Sequence, residues 1–161
     1  MKYFKLTYPD INNGLGCRAT VWITGCKHNC KGCHNPTLQN FQLGKNWNDQ
    51  IKQKLYDILS LPYIKGVTFS GGDPLYSVED LVSLCKEIKQ TFPEKDIWVY
   101  TGFEFEYVKH FEIMKYIDVL CDGPFMERLK DTSLPFRGSS NQRLIDVPAS
   151  LKSGKIILFN N

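Results

Sequence analysis

Three cysteines fall within eight residues of the segment WITGCKHNCKGCHNP, Trp22 to Pro36: Cys26, Cys30 and Cys33, spaced C-x3-C-x2-C. Thiolates are soft ligands, and a group this tight suits a metal centre better than a disulfide framework. The other cysteines, Cys17, Cys85 and Cys121, are scattered along the chain. A structural zinc site usually joins two short pairs a dozen or more residues apart and closes four ligands around the ion. No second pair follows here. His34 would make a fourth donor, but it follows Cys33 directly, and neighbouring side chains on an extended segment point apart. Iron-sulfur clusters ordinarily take four thiolates. A cubane held by three keeps one iron without a protein ligand, and an open coordination position is a place to bind something. Gly25 and Gly32 give the loop backbone conformations that a side chain resists.

The elements that must position this loop follow from the apolar pattern. Strands are expected at Lys2 to Thr7, Thr20 to Thr24, Gly66 to Ser70, Asp96 to Thr101, Ile117 to Cys121, Leu144 to Val147 and Lys155 to Phe159, short runs rich in Val, Ile and aromatics. Helices alternate with the central ones. Asn48 is placed to cap a helix carrying Ile51, Leu55, Ile58 and Leu59, and Ser77 with Asp80 resembles a capping box ahead of Leu81, Leu84, Cys85 and Ile88. A shorter third helix is expected over Phe103 to Phe111. Strand and helix in alternation, with near-continuous apolar strands, indicate parallel pairing and an α/β class. A complete eight-unit barrel takes about 250 residues, so a chain of 161 holds part of one or an open doubly wound sheet. In both, chemistry belongs at the carboxyl ends of strands. There the unusual residues fall: Gly25 and Cys26, Gly71 to Pro74, Gly102, and Asp122 with Gly123.

Composition bounds the function. With 42% hydrophobic and 13% aromatic residues, the chain can bury one core, so residues 1–161 are expected to form a single domain. Net charge is +3 with Lys and Arg spread throughout, which supplies no basic block for nucleic acid. No run approaches the roughly 18 apolar residues of a membrane span, and the N-terminus MKYFKLTYPDI lacks a leader's apolar core. A cytoplasmic protein is expected, binding neither nucleic acid nor membrane.

The C-x3-C-x2-C loop resembles the signature of the radical S-adenosylmethionine enzymes, in which the open iron of a 4Fe-4S cluster chelates S-adenosylmethionine. A second motif, VTFSGGDPL from Val67 to Leu75, is similar to that superfamily's Gly-Gly-Glu-Pro segment, with Asp73 where glutamate is usual. Glycines there let the backbone approach a ligand closely, and carbonyls and a carboxylate can accept from an ammonium. The resemblance implies that Cys26, Cys30 and Cys33 hold the cluster and that Gly71, Gly72 and Asp73 bind the methionyl end of the cofactor. The superfamily often has an aromatic just before the third cysteine to contact the adenine. Here Gly32 stands there, and His34, Trp22 or Tyr100 would substitute.

The narrower resemblance is to the activating enzymes of anaerobic ribonucleoside-triphosphate reductase, from about Cys17 to Val147. It rests on TGCKHNCKGCHNP, SGGDP, WVYTGF, IDVLCDGPF and FRGSSNQRLIDV. It implies a small partial β/α barrel that cleaves S-adenosylmethionine and generates a glycyl radical on the partner reductase, drawing electrons from a reductant such as a flavodoxin-type donor. Rival readings are a pyruvate formate-lyase-type activase, a small-molecule reaction like that of carboxy-deazaguanine synthase, and a non-enzymatic iron-sulfur or zinc module.

Other residues are read more plainly. Lys27 and His28 are expected to be solvated, Cys85 and Cys121 to be core, and Cys17 to be a loop cysteine. Asp122 is equally a pocket group or a turn residue. Arg137 to Arg143 form a dense polar cluster expected to shape the cofactor site or dock the reductase.

Overall fold

Alternation along the strands gives the two faces of the sheet different chemistry. The computed structural model describes residues 1–160. Strands β1 (Lys2–Asp10), β2 (Arg18–Ile23), β3 (Lys45–Asn46), β4 (Gly66–Gly71), β5 (Asp96–Tyr100), β6 (Val119–Asp122) and β7 (Arg143–Asp146) form one sheet in the order β3-β1-β2-β4-β5-β6-β7. The central pairs β2·β4, β4·β5 and β5·β6 are parallel. Antiparallel pairs flank them, β1 with β2 and β3, and β6 with β7. The class is therefore α/β, with a mixed sheet that is parallel in the middle.

One face carries Ala19, Val21, Ile23, Val67, Phe69, Ile97, Val99, Leu120 and Ile145, all fully buried against the helices. Two helices supply most of the cover. Helix α1 (Asp49–Leu59) buries Ile51, Leu55, Ile58 and Leu59, and Asn48 caps it by accepting from the Ile51 amide at 3.1 Å. Helix α2 (Val78–Thr91) buries Leu81, Leu84, Cys85 and Ile88. Each such side chain contributes about 1.5–3 kcal/mol on leaving water. The opposite face mixes Arg18, Thr20, Thr68 and Ser70 with Trp98, Val119 and Leu144, and it is buried too. Burial on both sides is what parallel strands require.

Several expectations need correction. Ser77 makes no capping bond: a 3-10 turn, Pro74–Ser77, leads into α2, and Asp80 instead pairs with the amino group of Met1. The third helix shrinks to α3 (Phe105–Val108), because Phe111 turns extended before a separate 3-10 turn at Glu112–Lys115. Residues 155–159 are no strand, meeting β7 through one bridge and two flanking backbone bonds. Unforeseen is α4 (Val147–Ser153), where Asp146 accepts from the Ala149 amide at 2.9 Å and Pro148 occupies the first turn. Among the described residues no helix is long and apolar enough to cross a membrane.

Candidate metal centre

The loop after β2 is sewn to two other segments by its backbone. Gly25 N–H donates to Leu38 O at 2.8 Å and Cys26 N–H to Gln39 O at 3.1 Å, while Gly25 O accepts from Asp73 N–H at 2.9 Å. Gly72 N–H donates to Ile23 O at 2.8 Å. These contacts bring main chain against main chain where only glycine fits. Gly71 has φ +119° and a Cβ there would lie 2.2 Å from Ile23 O; one on Gly72 would lie 2.6 Å from both Gly25 O and Leu38 O.

All three thiols face one cavity of about 440 Å³ at the carboxyl ends of the parallel strands. Ser70 to Gly72 contribute from the end of β4, Tyr100 to Gly102 from the end of β5, Gly123 from just beyond β6, and Phe136 to Gly138 from the loop between β6 and β7. Asn12, Asn13 and Trp22 line the same space. Backbone amides point at two of the sulfurs, His28 N–H at Cys26 Sγ and Asn35 N–H at Cys33 Sγ, both at 3.4 Å. Burial pushes the Cys26 thiol up, with the His28 amide opposing and the charge of Asp73 reinforcing it. Burial likewise raises Cys30, against the Phe125 amide. Thiols so placed ionise when a cation takes the proton's place. By contrast, Cys121 is driven to about 12 and Cys85 higher still by complete burial, which leaves both inert.

Among the described residues, no three His, Cys, Asp or Glu side chains converge on one point as a single ion requires. Thiolates that each hold a different iron of a cluster need no such common point. The donor set is three soft sulfurs, which fits a cluster better than a four-ligand zinc ion.

The other expected site residues divide. Gly71, Gly72, His34 and Tyr100 line the cavity with Trp22. The His34 ring lies tilted against Phe125, centroids 4.6 Å apart, and Trp22 Nε1–H donates to Thr7 Oγ1 at 3.0 Å. The Tyr100 hydroxyl is buried without a partner among the described residues, and burial holds it well above the usual phenol range. Asp73 is not in the wall. Its Oδ2 accepts from Thr101 Oγ1 and Gly102 N–H, each at 2.9 Å, and its Oδ1 from Leu75 N–H at 2.9 Å. His28 is not solvated: its Nε2 lies 2.7 Å from Asp73 Oδ2, and its side chain is only 17% exposed. Lys27 is exposed as expected.

Asp122 is neither pocket group nor free turn residue, being fully buried and paired with Arg143. The polar cluster splits accordingly. Arg137, Gly138 and Gln142 line the cavity, whereas Arg143 turns away to Asp122 and Glu106. Gln142, a member of that cluster, organises the loop: Oε1 accepts from Gly138 N–H at 3.0 Å and Nε2–H donates to Gly123 O at 3.1 Å. Sequence reasoning does not find Asn12 and Asn13, since a polar bend between two strands carries no signal of what lies opposite.

Known proteins resemble this chain along most of its length. A family model described as a 4Fe-4S single cluster domain matches residues 12–145. The chain is 42% identical over 146 residues to the anaerobic ribonucleoside-triphosphate reductase-activating protein of Enterobacteria phage T4, covering 89% of this chain and 93% of that one. It is 40% identical to the Haemophilus influenzae protein of that name and 38% to the Escherichia coli K12 one, each over 88% of this chain and 96% of the relative. A cluster domain spanning all three thiols, and this similarity along most of the chain, make it a member of the anaerobic ribonucleoside-triphosphate reductase-activating protein family.

Proposed function

We propose that this protein is a radical S-adenosylmethionine enzyme that activates an anaerobic ribonucleoside-triphosphate reductase by generating a glycyl radical on it. The observation that carries the proposal is the set of three thiols, Cys26, Cys30 and Cys33, facing one cavity with the Gly71-Gly72 turn. The relatives' names supply the partner. On this reading residues 1–161 are one domain, a partial β/α barrel whose polar second face lines the interior.

The three thiols hold a 4Fe-4S cluster. The backbone of Gly71 and Gly72 receives the methionyl end of S-adenosylmethionine, and His34 and Tyr100 stand where they can border its adenosyl part. Asp73 acts from behind the Gly71-Gly72 turn, since its carboxylate oxygens and its backbone N–H and C=O are all engaged inside the protein. A 4Fe-4S cluster held by Cys26, Cys30 and Cys33 would supply, with one electron from an external donor of the flavodoxin type, reductive cleavage of S-adenosylmethionine to methionine and a 5′-deoxyadenosyl radical, and hydrogen abstraction from a glycine of the reductase would follow. The chain's own work is to bind, orient and exclude water. Apart from S-adenosylmethionine no small molecule need enter, because the substrate is a segment of the partner.

The test is anaerobic. The protein is reconstituted with iron and sulfide, reduced, given S-adenosylmethionine, and assayed for 5′-deoxyadenosine and for an electron paramagnetic resonance doublet, with and without reductase. Deoxyadenosine with a new glycyl doublet on the reductase is the expected result. Deoxyadenosine without the doublet reopens the partner, and neither product from a cluster-loaded protein defeats the radical chemistry.

A further inference from the structure

His28 lies inside the cysteine loop, two residues after Cys26 and two before Cys30. Its ring is locked from several directions. Nε2 is 2.7 Å from Asp73 Oδ2, and since that oxygen is also the acceptor for Thr101 Oγ1–H and Gly102 N–H, the imidazole nitrogen is the donor. Phe103 meets the ring edge-on at 4.6 Å and Tyr76 lies 5.5 Å away. The ring presses on Gly102, where a Cβ would come within 2.5 Å of it. Asp73 is thus a hub, its side chain 2% exposed, joining the cysteine loop, the turn after β4 and the end of β5. Three donors surround the one oxygen Oδ2.

We infer that His28 is a positioning residue: anchored on Asp73, it fixes the cysteine loop against two strand ends and holds its own backbone amide on the Cys26 sulfur. This rests on the three cysteines being the cluster ligands. A side chain that orders a ligand's hydrogen bond acts on the metal from outside its ligand set, and amide bonds to a cluster's sulfurs raise its potential. Asp73 suits the same geometry. A longer carboxylate would drive its oxygens past the Thr101 and Gly102 donors.

The test compares wild-type protein with His28→Leu, His28→Gln and Asp73→Asn after anaerobic reconstitution. The readouts are the rate of iron loss to a chelator and the cluster's midpoint potential from a redox titration followed by electron paramagnetic resonance. Melting of the metal-free chains controls for folding. His28→Leu and Asp73→Asn should lose iron about tenfold faster or more and shift the potential negative. His28→Gln, which restores a donor towards Asp73, should recover part of both. Wild-type iron retention and potential in His28→Leu would overturn the inference. If His28→Leu does not fold, Asp73→Asn against His28→Gln decides the matter by the same two readouts. A wild-type chain that takes up iron and sulfide, with Cys30→Ala taking up equally much, would instead overturn the ligand assignment and this inference with it.

Discussion

Arg143 and Asp122 are register partners across the antiparallel pair β6·β7, and the guanidinium holds both carboxylate oxygens, Nε–H to Oδ1 at 3.0 Å and Nη2–H to Oδ2 at 2.5 Å. Asp122 Oδ2 also accepts from Phe105 N–H at 2.8 Å. One buried acid thereby ties β7 and α3 to the strand end that carries Gly123 into the cavity wall. Removing the guanidinium strands a fully buried carboxylate. Arg143→Ala should therefore destabilise the fold by about 3 kcal/mol or more, read from chemical denaturation of the metal-free chain, and Arg143→Lys should recover only part, having no bidentate fork. Wild-type stability in Arg143→Ala would refute the buckle.

The outer arm of the same guanidinium reaches Glu106 at 2.8 Å, and this bond, first among its causes, holds the Glu106 carboxyl below the usual range. A group with a depressed folded value binds fewer protons in the native state. Its contribution is present above the ordinary carboxylate pKa and disappears as pH falls through the folded value. Glu106 is half exposed, so the contribution stays under about 1 kcal/mol. Glu106→Gln should melt slightly below wild type near neutral pH, and the two curves should merge in acid, below the ordinary carboxylate range. A gap that persists in acid would mean packing, not charge.

Cysteines separate cleanly by environment. Alanine at Cys26, Cys30 or Cys33 should abolish both cluster uptake and 5′-deoxyadenosine formation while leaving the fold intact. Cys85→Ala, inside α2's buried face, should keep both and cost about 1 kcal/mol in stability. Iron and sulfide analysis beside a melting curve checks the pair, and a retained cluster in Cys30→Ala removes that residue from the ligand set.

Gly72→Ala asks whether the turn after β4 must be bare. Its Cβ would meet two carbonyl oxygens at 2.6 Å, and backbone does not yield as a side-chain tip does. The expected cost is about 1–3 kcal/mol, with weaker binding of S-adenosylmethionine measured by equilibrium dialysis against the reconstituted protein. Unchanged stability and binding would show that the turn has slack.

Local chemistry was legible in the residue order alone. The C-x3-C-x2-C spacing marks a metal loop because ligands so close in sequence can share one centre wherever the fold puts them. Asn48 and the 3.6-residue apolar pattern of α1 and α2 work within a few residues of themselves, so they read correctly. Patterns of local origin also misled. Ser77 and Asp80 had capping-box spacing, yet a proline-led 3-10 turn and the amino group of Met1 took their places. Residues 155–159 had strand composition but only one short stretch of β7 edge to meet.

Only the tertiary structure decided the long-range partners. Arg18 has the composition of a surface residue, yet it is fully buried beside Trp98, bonding Thr68 at 2.8 Å and Val67 O at 2.9 Å. Its burial follows from the sheet having two covered faces. His28 read as a solvated loop residue because nothing near it in sequence accepts its proton; the acceptor, Asp73, lies 45 positions away and arrives only when β2 and β4 pair in parallel. Ligand type is a property of the residues themselves, whereas burial and hydrogen-bond partnership belong to chain crossings that no local pattern encodes.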